Sequence, residues 1–265
     1  MIDRIKQHFI EVDERIKKIG GSQDFLDLSK TWNQRAIELG YQHNFTWLGR
    51  PIIQAPQDLY AIQELIWKVK PDLIIETGVA HGGSLILSAS LIALMNYIDD
   101  QNITPNAIER RVIGIDIDIR NHNRQAIENH TLGNLITLLE GSSVDEKILQ
   151  KVSEIVGSHK KIMVFLDSNH THDHVFKELE AYTGFVSLDS YCVVWDTGID
   201  DLPAGFINDR SWGPGNNPKT AVREFLKLRS NESSDSIKPL FIIDKEIEHK
   251  IAITAATDGF LRRVK

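Results

Sequence analysis

The chain holds a single cysteine, Cys192, among its 265 residues. No internal disulfide can form, and a lone thiol between apolar neighbours fits a reducing compartment, where it is expected to be buried and structural. Basic residues are in deficit: the formal charge is −7, which leaves no basic stripe for a nucleic acid. No apolar run reaches membrane length. The longest mostly apolar stretch, "LILSASLIALM" from Leu85, falls well short of the ~20 residues a spanning helix needs, and reads as a buried helix. The opening residues, "MIDRIKQHFIEVDERIKKIG", carry charge throughout and contain no apolar core of a secretory signal. The cytoplasm is therefore the expected location, with small molecules or other proteins as partners. Internal repeats and low-complexity tracts are also missing.

What is present is enough apolar material, 42% of residues, for one large α/β domain. Ile2, Ile5, Phe9, Val12, Ile16 and Ile19 recur three and four apart and predict a helix ending near Gly20 and Gly21. Its apolar stripe packs on the rest of the chain or on another subunit, since one seam serves both. Next, "YQHNFTWLGRPIIQAPQD" contains Pro51 and Pro56, which forbid a continuous helix and predict an ordered loop. We place residues 1–55 in an N-terminal helical extension with that loop, and 56–265 in the main domain.

From Pro71 onward β-rich runs alternate with helical patterns: "DLIIETG", "SLILSASLIALMNYI", "RVIGIDID", "RQAIENH", "NLITLLEG", "DEKILQKVSEIV", "KIMVFLD", a helix from about Thr171, then "SYCVVWD". This rhythm predicts parallel βαβ units with both faces of the sheet covered. "PLFIID" and "KIAITAA" are separated by only a few charged residues, too few for a crossover helix, and are expected to form a closing antiparallel hairpin. The expected architecture is a Rossmann-like, doubly wound sheet of seven strands with one antiparallel strand.

Ligands of such sheets sit outside the carboxyl ends of the strands. The first strand ends in "ETGVAHGGS", where Glu76, Gly78, His81, Gly82, Gly83 and Ser84 make a turn into a helix. Glycines admit close backbone approach, and the helix start offers free N–H groups. Ala80 stands where GxGxxG requires glycine, so the dinucleotide motif does not fit. An acid, one residue, Gly78, three residues and Gly82 fit instead the loop beneath the amino-acid part of S-adenosylmethionine. The second strand ends in "GIDID", where Asp116, or secondarily Asp118, can accept from ribose hydroxyls. The inserted "DDQNITPNAIER" makes the spacing from Gly78 longer than a dinucleotide site has. After the third strand, Ser142 or Ser143 faces an adenine edge.

The fourth strand ends in Asp167 and the fifth in Asp196. Neighbouring strand ends lie ~5 Å apart, and two carboxylates that close call for a hard cation such as Mg²⁺, unless one caps a helix or pairs with arginine. "HTHDH" approaches the HxHxDH motif of zinc hydrolases but lacks its spacer. His170, just ahead of the helix, is the candidate base for a hydroxyl proton, while His172 and His174 read as polar residues around a helix start.

"IIETGVAHGGSLILSAS", "GIDIDIR", "LDSNHTHDHV", "WGPGNNPKTAV" and "DGFLRR" together resemble the cephalosporin hydroxylase family. Despite its name, that family is similar to class I S-adenosylmethionine-dependent O-methyltransferases, with relatives that act on rhamnosyl and other sugar hydroxyls. The resemblance spans nearly the whole chain. It implies cofactor contacts from Glu76, Gly78, Gly82, Ser84, Asp116 and Ser142 and metal contacts from Asp167 and Asp196. Where some relatives carry a Glu-Asp pair, this chain has Trp195 and Asp196, so one carboxylate ligand is missing. Trp195 either walls an acceptor ring or belongs to the core. The insertion "TGIDDLPAGFINDRSWGPGNNP" suits a substrate lid or a subunit contact, and Arg50, Arg210 and Trp212 are candidate acceptor contacts.

The expected enzyme is an O-methyltransferase using S-adenosylmethionine, with Mg²⁺ as a candidate second cofactor, Asp167 and His170 at the reaction centre, and a sugar hydroxyl of a polysaccharide or natural product as acceptor. A homo-oligomer is expected. The alternatives are an oxygenase-type or accessory protein of antibiotic tailoring, and a non-catalytic binder of the cofactor.

Overall fold

The computed structural model describes residues 3–99, 109–157, 159–230 and 238–265. Ile2 and most of the inserted "DDQNITPNAIER" lie outside the described residues. Helix α1, Arg4–Gly20, begins at Asp3, whose carboxylate accepts from the Ile5 amide, and has Lys17 and Lys18 in its last turn, where they oppose the helix dipole. Its stripe is covered unevenly. Ile16 is buried, whereas Ile5 and Phe9 remain 66% and 60% exposed. A second helix, α2 (Gln23–Glu38), follows.

The proline-containing segment is more regular than a loop. It forms a hairpin of β1 (Phe45–Trp47) and β2 (Arg50–Ile52), turning on Leu48 and Gly49, both with positive φ, as a tight hairpin turn requires. Pro56 opens α3, Pro56–Val69, at the first helical position, where a missing N–H costs nothing.

Among the described residues the main sheet has seven strands in the order β5-β4-β3-β6-β7-β9-β8. These are β3 (Leu73–Thr77), β4 (Arg111–Asp116), β5 (Ile136–Glu140), β6 (Ile162–Leu166), β7 (Tyr191–Val194), β8 (Phe241–Ile243) and β9 (Phe260–Arg263). The pairs from β5 to β7 are parallel, and β9 runs antiparallel to both of its neighbours. The expected seven strands with one reversed are therefore observed. The expected identity of the last hairpin is not. "KIAITAA" is no strand: its first two residues end α9, Lys245–Ile251, and the reversed strand is "FLRR". The cause is Asp244, whose carboxylate accepts from the amides of Glu246 and Ile247, a helix cap that turns the charged connection into two helical turns.

Every residue of β3 and β6 is buried, and their side chains alternate between two cores. Ile74, Met163, Phe165, Tyr191 and Val193 face α3, α9 and α4 (Gly83–Asp99). Leu73, Ile75, Val164, Cys192 and Val194 face the other layer, α6 (Glu146–Val156), α7 (His172–Tyr182) and α8 (Pro218–Ser230). Helix α5 is Asn121–Glu128. Cys192 is fully buried, and burial pushes its thiol above the usual range.

Candidate active site

A cavity of about 800 Å³ opens over the carboxyl ends of the parallel strands, within the ~300–1,000 Å³ usual for small-molecule sites. Gly78, Asp116, Ser142, Ser143, Asp167, His170, Trp195, Asp196 and Trp212 all line it. A smaller space of about 50 Å³ over the glycine turn shares Gly78, Ala80 and Asp167 with the large one.

The turn after β3 is held from three sides. Gly78 has φ +88, and a Cβ there would fall 1.9 Å from the Asp167 carbonyl oxygen. The amides of Val79 and Ala80 donate to Asp116 Oδ2 at 2.8 and 3.3 Å, so the acid at the end of β4 shapes the turn and still faces the cavity. Ile117, next in sequence, is 74% exposed and offers the cavity an apolar surface. Asp118 is exposed and does not line the cavity: the strand ends at Asp116, and beyond it the Asp118 amide turns back to donate to Asp116 Oδ1 at 3.2 Å.

Glu76 and Ser84 are bonded to each other, with the Ser84 hydroxyl donating to Glu76 Oε1. Glu76 is only 2% exposed and lines neither space, so it supports the turn from beneath. Ser84, His81, Gly82 and Gly83 border the smaller space. Burial pushes the Glu76 carboxyl up to about 7, partly opposed by the Ser84 bond. Between about pH 4.5 and 7 the folded chain keeps a proton that the unfolded chain has released, so stability falls as pH rises through that window. Glu76→Gln is expected to remove this slope and to gain at most roughly 3 kcal/mol above it. Urea unfolding of both proteins at pH 5 and pH 8 measures the difference.

Arg50 corrects another expectation. Its guanidinium donates to the His81 carbonyl at 2.9 Å from Nε and 2.6 Å from Nη2, and to Asn123 Oδ1 at 2.9 Å, while Asn123 Nδ2 donates to the Ala80 carbonyl at 2.8 Å. With these partners Arg50 braces the glycine turn and lines neither space. The fork geometry of guanidinium explains the choice of residue. Arg50→Ala is expected to weaken S-adenosylhomocysteine binding about tenfold, the cost of carbonyls losing their partner, with kcat at saturating cofactor nearly unchanged. Calorimetric titration and initial rates separate the two effects.

Asp167, His170 and Asp196 come together. One ligand atom from each lies within 4.8 Å of the others, and His170 Nδ1 stands 3.3 Å from Asp196 Oδ2. Asp196 occupies the left-handed region, φ 54 and ψ 19, a conformation Asp tolerates better than most residues. Asp167 is raised well above the usual carboxylate range by burial first, then by the negative charges of Asp196, Glu76 and Glu178. Among the described residues it makes no ion pair with a basic side chain. Two carboxylates and an imidazole so placed fit a divalent cation, and the repulsion gives them reason to hold one. His172 does not join them. It bonds Thr220 Oγ1 at 2.8 Å and lies 3.0 Å from Glu224, so the three histidines point in different directions and the zinc-hydrolase arrangement does not form.

Trp195 is 3% exposed and packs edge-on against Phe260, which makes it a core residue that also borders the cavity. Trp212 packs edge-on against His170 at 5.1 Å between ring centres, and the Arg210 guanidinium lies over the Trp212 ring at 6.0 Å from its centre. The inserted segment after β7 contributes Ile199, Leu202, Ile207 and Arg210 to the cavity wall. Asp200 pins it by accepting from the Gly215 amide, Asn217 Nδ2 and Arg223 Nη1 at 3.0, 2.8 and 2.6 Å.

Sequence reasoning missed one wall altogether. Lys30, Asn33, Gln34 and Ile37 of α2 line the cavity. Their spacing of three, one and three is the signal for a shared helix face. Asn33 anchors that wall by donating to the Thr254 carbonyl at 3.0 Å.

The sequence matches the family Rhamnosyl O-methyltransferase/CmcI over residues 39–264. The chain belongs to this family. Curated relatives include the rhamnosyl O-methyltransferases of Mycobacterium tuberculosis, 25% identical over 82% of this chain and 78% of the relative, and of Mycobacterium leprae, 25% identical over 82% of each. Among solved structures, an apo-structure of CmcI superposes with a TM-score of 0.54 at 19% identity, covering 84% of this chain and 77% of that one. A CmcI structure with Mg-SAM gives 0.52 at 19% identity, covering 84% and 78%. These similarities establish the class I methyltransferase fold, and the family makes the chain an S-adenosylmethionine-dependent O-methyltransferase.

Proposed function

We propose that this enzyme methylates a sugar hydroxyl, with the acceptor held in the outer part of the large cavity and the cofactor along the strand ends. The observation that carries the reading is a single cavity joining the glycine turn, Asp116 and the serines after β5 to the Asp167, His170 and Asp196 cluster. In this reading the amino-acid end of S-adenosylmethionine occupies the space over Gly78 to Ser84. Asp116 would accept from the ribose, Ile117 and Ser142 would border the base, and Asp167 would border the reacting end. Trp195 and Trp212 supply flat apolar walls of the kind sugar rings stack on, and Asn33 and Gln34 offer amides for hydroxyls. The sugar preference is further supported by the rhamnosyl activity of the curated relatives.

His170 takes the proton of the acceptor hydroxyl on Nε2, while Asp196, beside Nδ1, orients the ring and stabilises the imidazolium that forms. The acceptor oxygen then bonds to the methyl carbon as the carbon–sulfur bond breaks, leaving a neutral thioether. The cofactor carries the reactive group, and the chain contributes alignment. Asp167 and Asp196, with His170 close by, would hold Mg²⁺. When bound, that ion would offset the repulsion between the carboxylates and acidify a hydroxyl near it.

The test supplies methyl-labelled cofactor with a panel of methyl glycosides, methyl rhamnoside among them, and with catechol as a non-sugar hydroxyl. Mass gain of one methyl on a glycoside, matched by equimolar S-adenosylhomocysteine, is the expected result. Transfer to catechol alone would overturn the sugar assignment and leave the enzyme class standing.

A further inference from the structure

His174, in the first turn of α7, stands between two hydroxyls at the cavity wall. Its Nε2 is 3.0 Å from Ser143 Oγ and 3.1 Å from Ser168 Oγ. The Ser168 hydroxyl donates to Glu178 Oε1 at 2.7 Å, and Glu178, one helical turn beyond His174, is fully buried. These contacts determine where each proton goes. A serine hydroxyl has one proton. Ser168 gives its proton to Glu178 and can only accept from the ring, so Nε2 of His174 carries hydrogen. The same N–H faces Ser143 Oγ, which therefore accepts as well. The Ser143 proton is left with no partner among the described residues.

The position of Ser143 is itself constrained. Tyr182 Oη donates to the Ser143 carbonyl at 2.6 Å, which fixes the backbone, and the side chain is 5% exposed. Ser143, Ser168 and His174 line the same cavity as Asp116 and Ile117. A buried hydroxyl with an unspent proton costs free energy unless a ligand accepts it.

We propose that His174, backed by Ser168 and Glu178, is a positioning residue that commits the Ser143 hydroxyl as a donor to a ring nitrogen of the cofactor's adenine. The inference rests on the cofactor placement given above. It assigns to His174 a task in base recognition and explains why an imidazole, rather than any polar residue, stands at this helix start. The ring's one N–H lies within reach of both hydroxyls and 3.5 Å from Glu178 Oε1, a placement that a rigid ring holds without the rotamer freedom of a longer amide.

The experiment uses calorimetric titration of the full-length protein with S-adenosylhomocysteine and with three analogues, each having CH in place of N1, N3 or N7. The wild type is expected to bind one analogue about tenfold more weakly than the parent, the value of one hydrogen bond. Ser143→Ala and His174→Phe should close that gap, while His174→Gln, whose amide retains an N–H, should keep most of it. Circular dichroism confirms that each variant folds, and Ser143→Ala, the smallest change, carries the test if His174→Phe does not. Equal binding of all three analogues by the wild type, or a gap that persists in Ser143→Ala or in folded His174→Phe, overturns the proposal. Failure of the wild type to bind S-adenosylhomocysteine at all is a different outcome, which removes the cofactor placement itself.

Discussion

Asp167→Asn is expected to lower kcat by at least about a thousandfold, roughly 4 kcal/mol of transition-state stabilisation, and at the same time to raise the melting temperature. The two effects have one origin. Asp167 sits at the end of β6, held by its amide donating to the Thr77 carbonyl at 3.0 Å, and its carboxylate is opposed by burial and by Asp196, Glu76 and Glu178. Asparagine keeps the shape and removes the charge, so the repulsion disappears along with the cation ligand. The exchange of stability for function is common at sites that concentrate like charges. The pH dependence follows the same sign. A carboxylate raised in the folded state favours folding at low pH, and its stabilising proton is lost as pH rises from the usual aspartate value through the folded one. The wild type should therefore fall behind the variant progressively across that range. Differential scanning calorimetry at several pH values, with initial rates at saturating cofactor, measures both. Activity within tenfold of wild type would take Asp167 out of the reaction centre.

Gly78→Ala is expected to abolish measurable cofactor binding, a loss of at least about a hundredfold, and to cost on the order of 3 kcal/mol of stability. The backbone there has φ +88, and the added Cβ would meet the carbonyl oxygen of Asp167 at 1.9 Å and its carbon at 2.6 Å. Both obstacles are backbone atoms, so no rotamer change relieves them, and the ends of β3 and β6 must separate. The separation would displace the glycine turn and Asp167 together. Gly49→Ala provides the comparison, because φ is +85 but no atom lies within 4 Å of the new Cβ. That variant should lose about 1 kcal/mol and bind S-adenosylhomocysteine normally. Urea unfolding and calorimetric titration of both variants separate left-handed strain from collision at the site.

The central sheet was legible because parallel strands covered on both faces read as unbroken apolar runs, and "DLIIETG" and "IMVFLD" have little else they could be. Asp116, Asp167 and Asp196 were legible for a related reason: an acid directly after such a run has to emerge at the ligand-binding edge. The closing strand was not. "KIAITAA" alternates well enough to pass for a strand, yet the Asp244 cap decides for helix, and a cap lies in hydrogen bonds that apolar periodicity does not register. Arg50 was misassigned because a guanidinium bonds carbonyls as readily as ligands, and only the fold shows that His81 and Asn123 occupy it. His174 and Glu178 stand four apart, the spacing of side chains that meet on a helix. That spacing says nothing, however, of Ser143, which comes from 31 residues earlier. α2 wrote its contribution plainly at positions 30, 33, 34 and 37, but a polar helix face ordinarily means solvent rather than a cavity.

The most direct test of the account is a calorimetric titration of the purified protein with S-adenosylhomocysteine, run in EDTA, in Mg²⁺, and in Mg²⁺ with Asp196→Asn. Saturable one-to-one binding is expected in all three, tightened by Mg²⁺ in the wild type, with the variant in Mg²⁺ binding no more tightly than the wild type in EDTA. Absence of binding by the wild type in both EDTA and Mg²⁺ would contradict it.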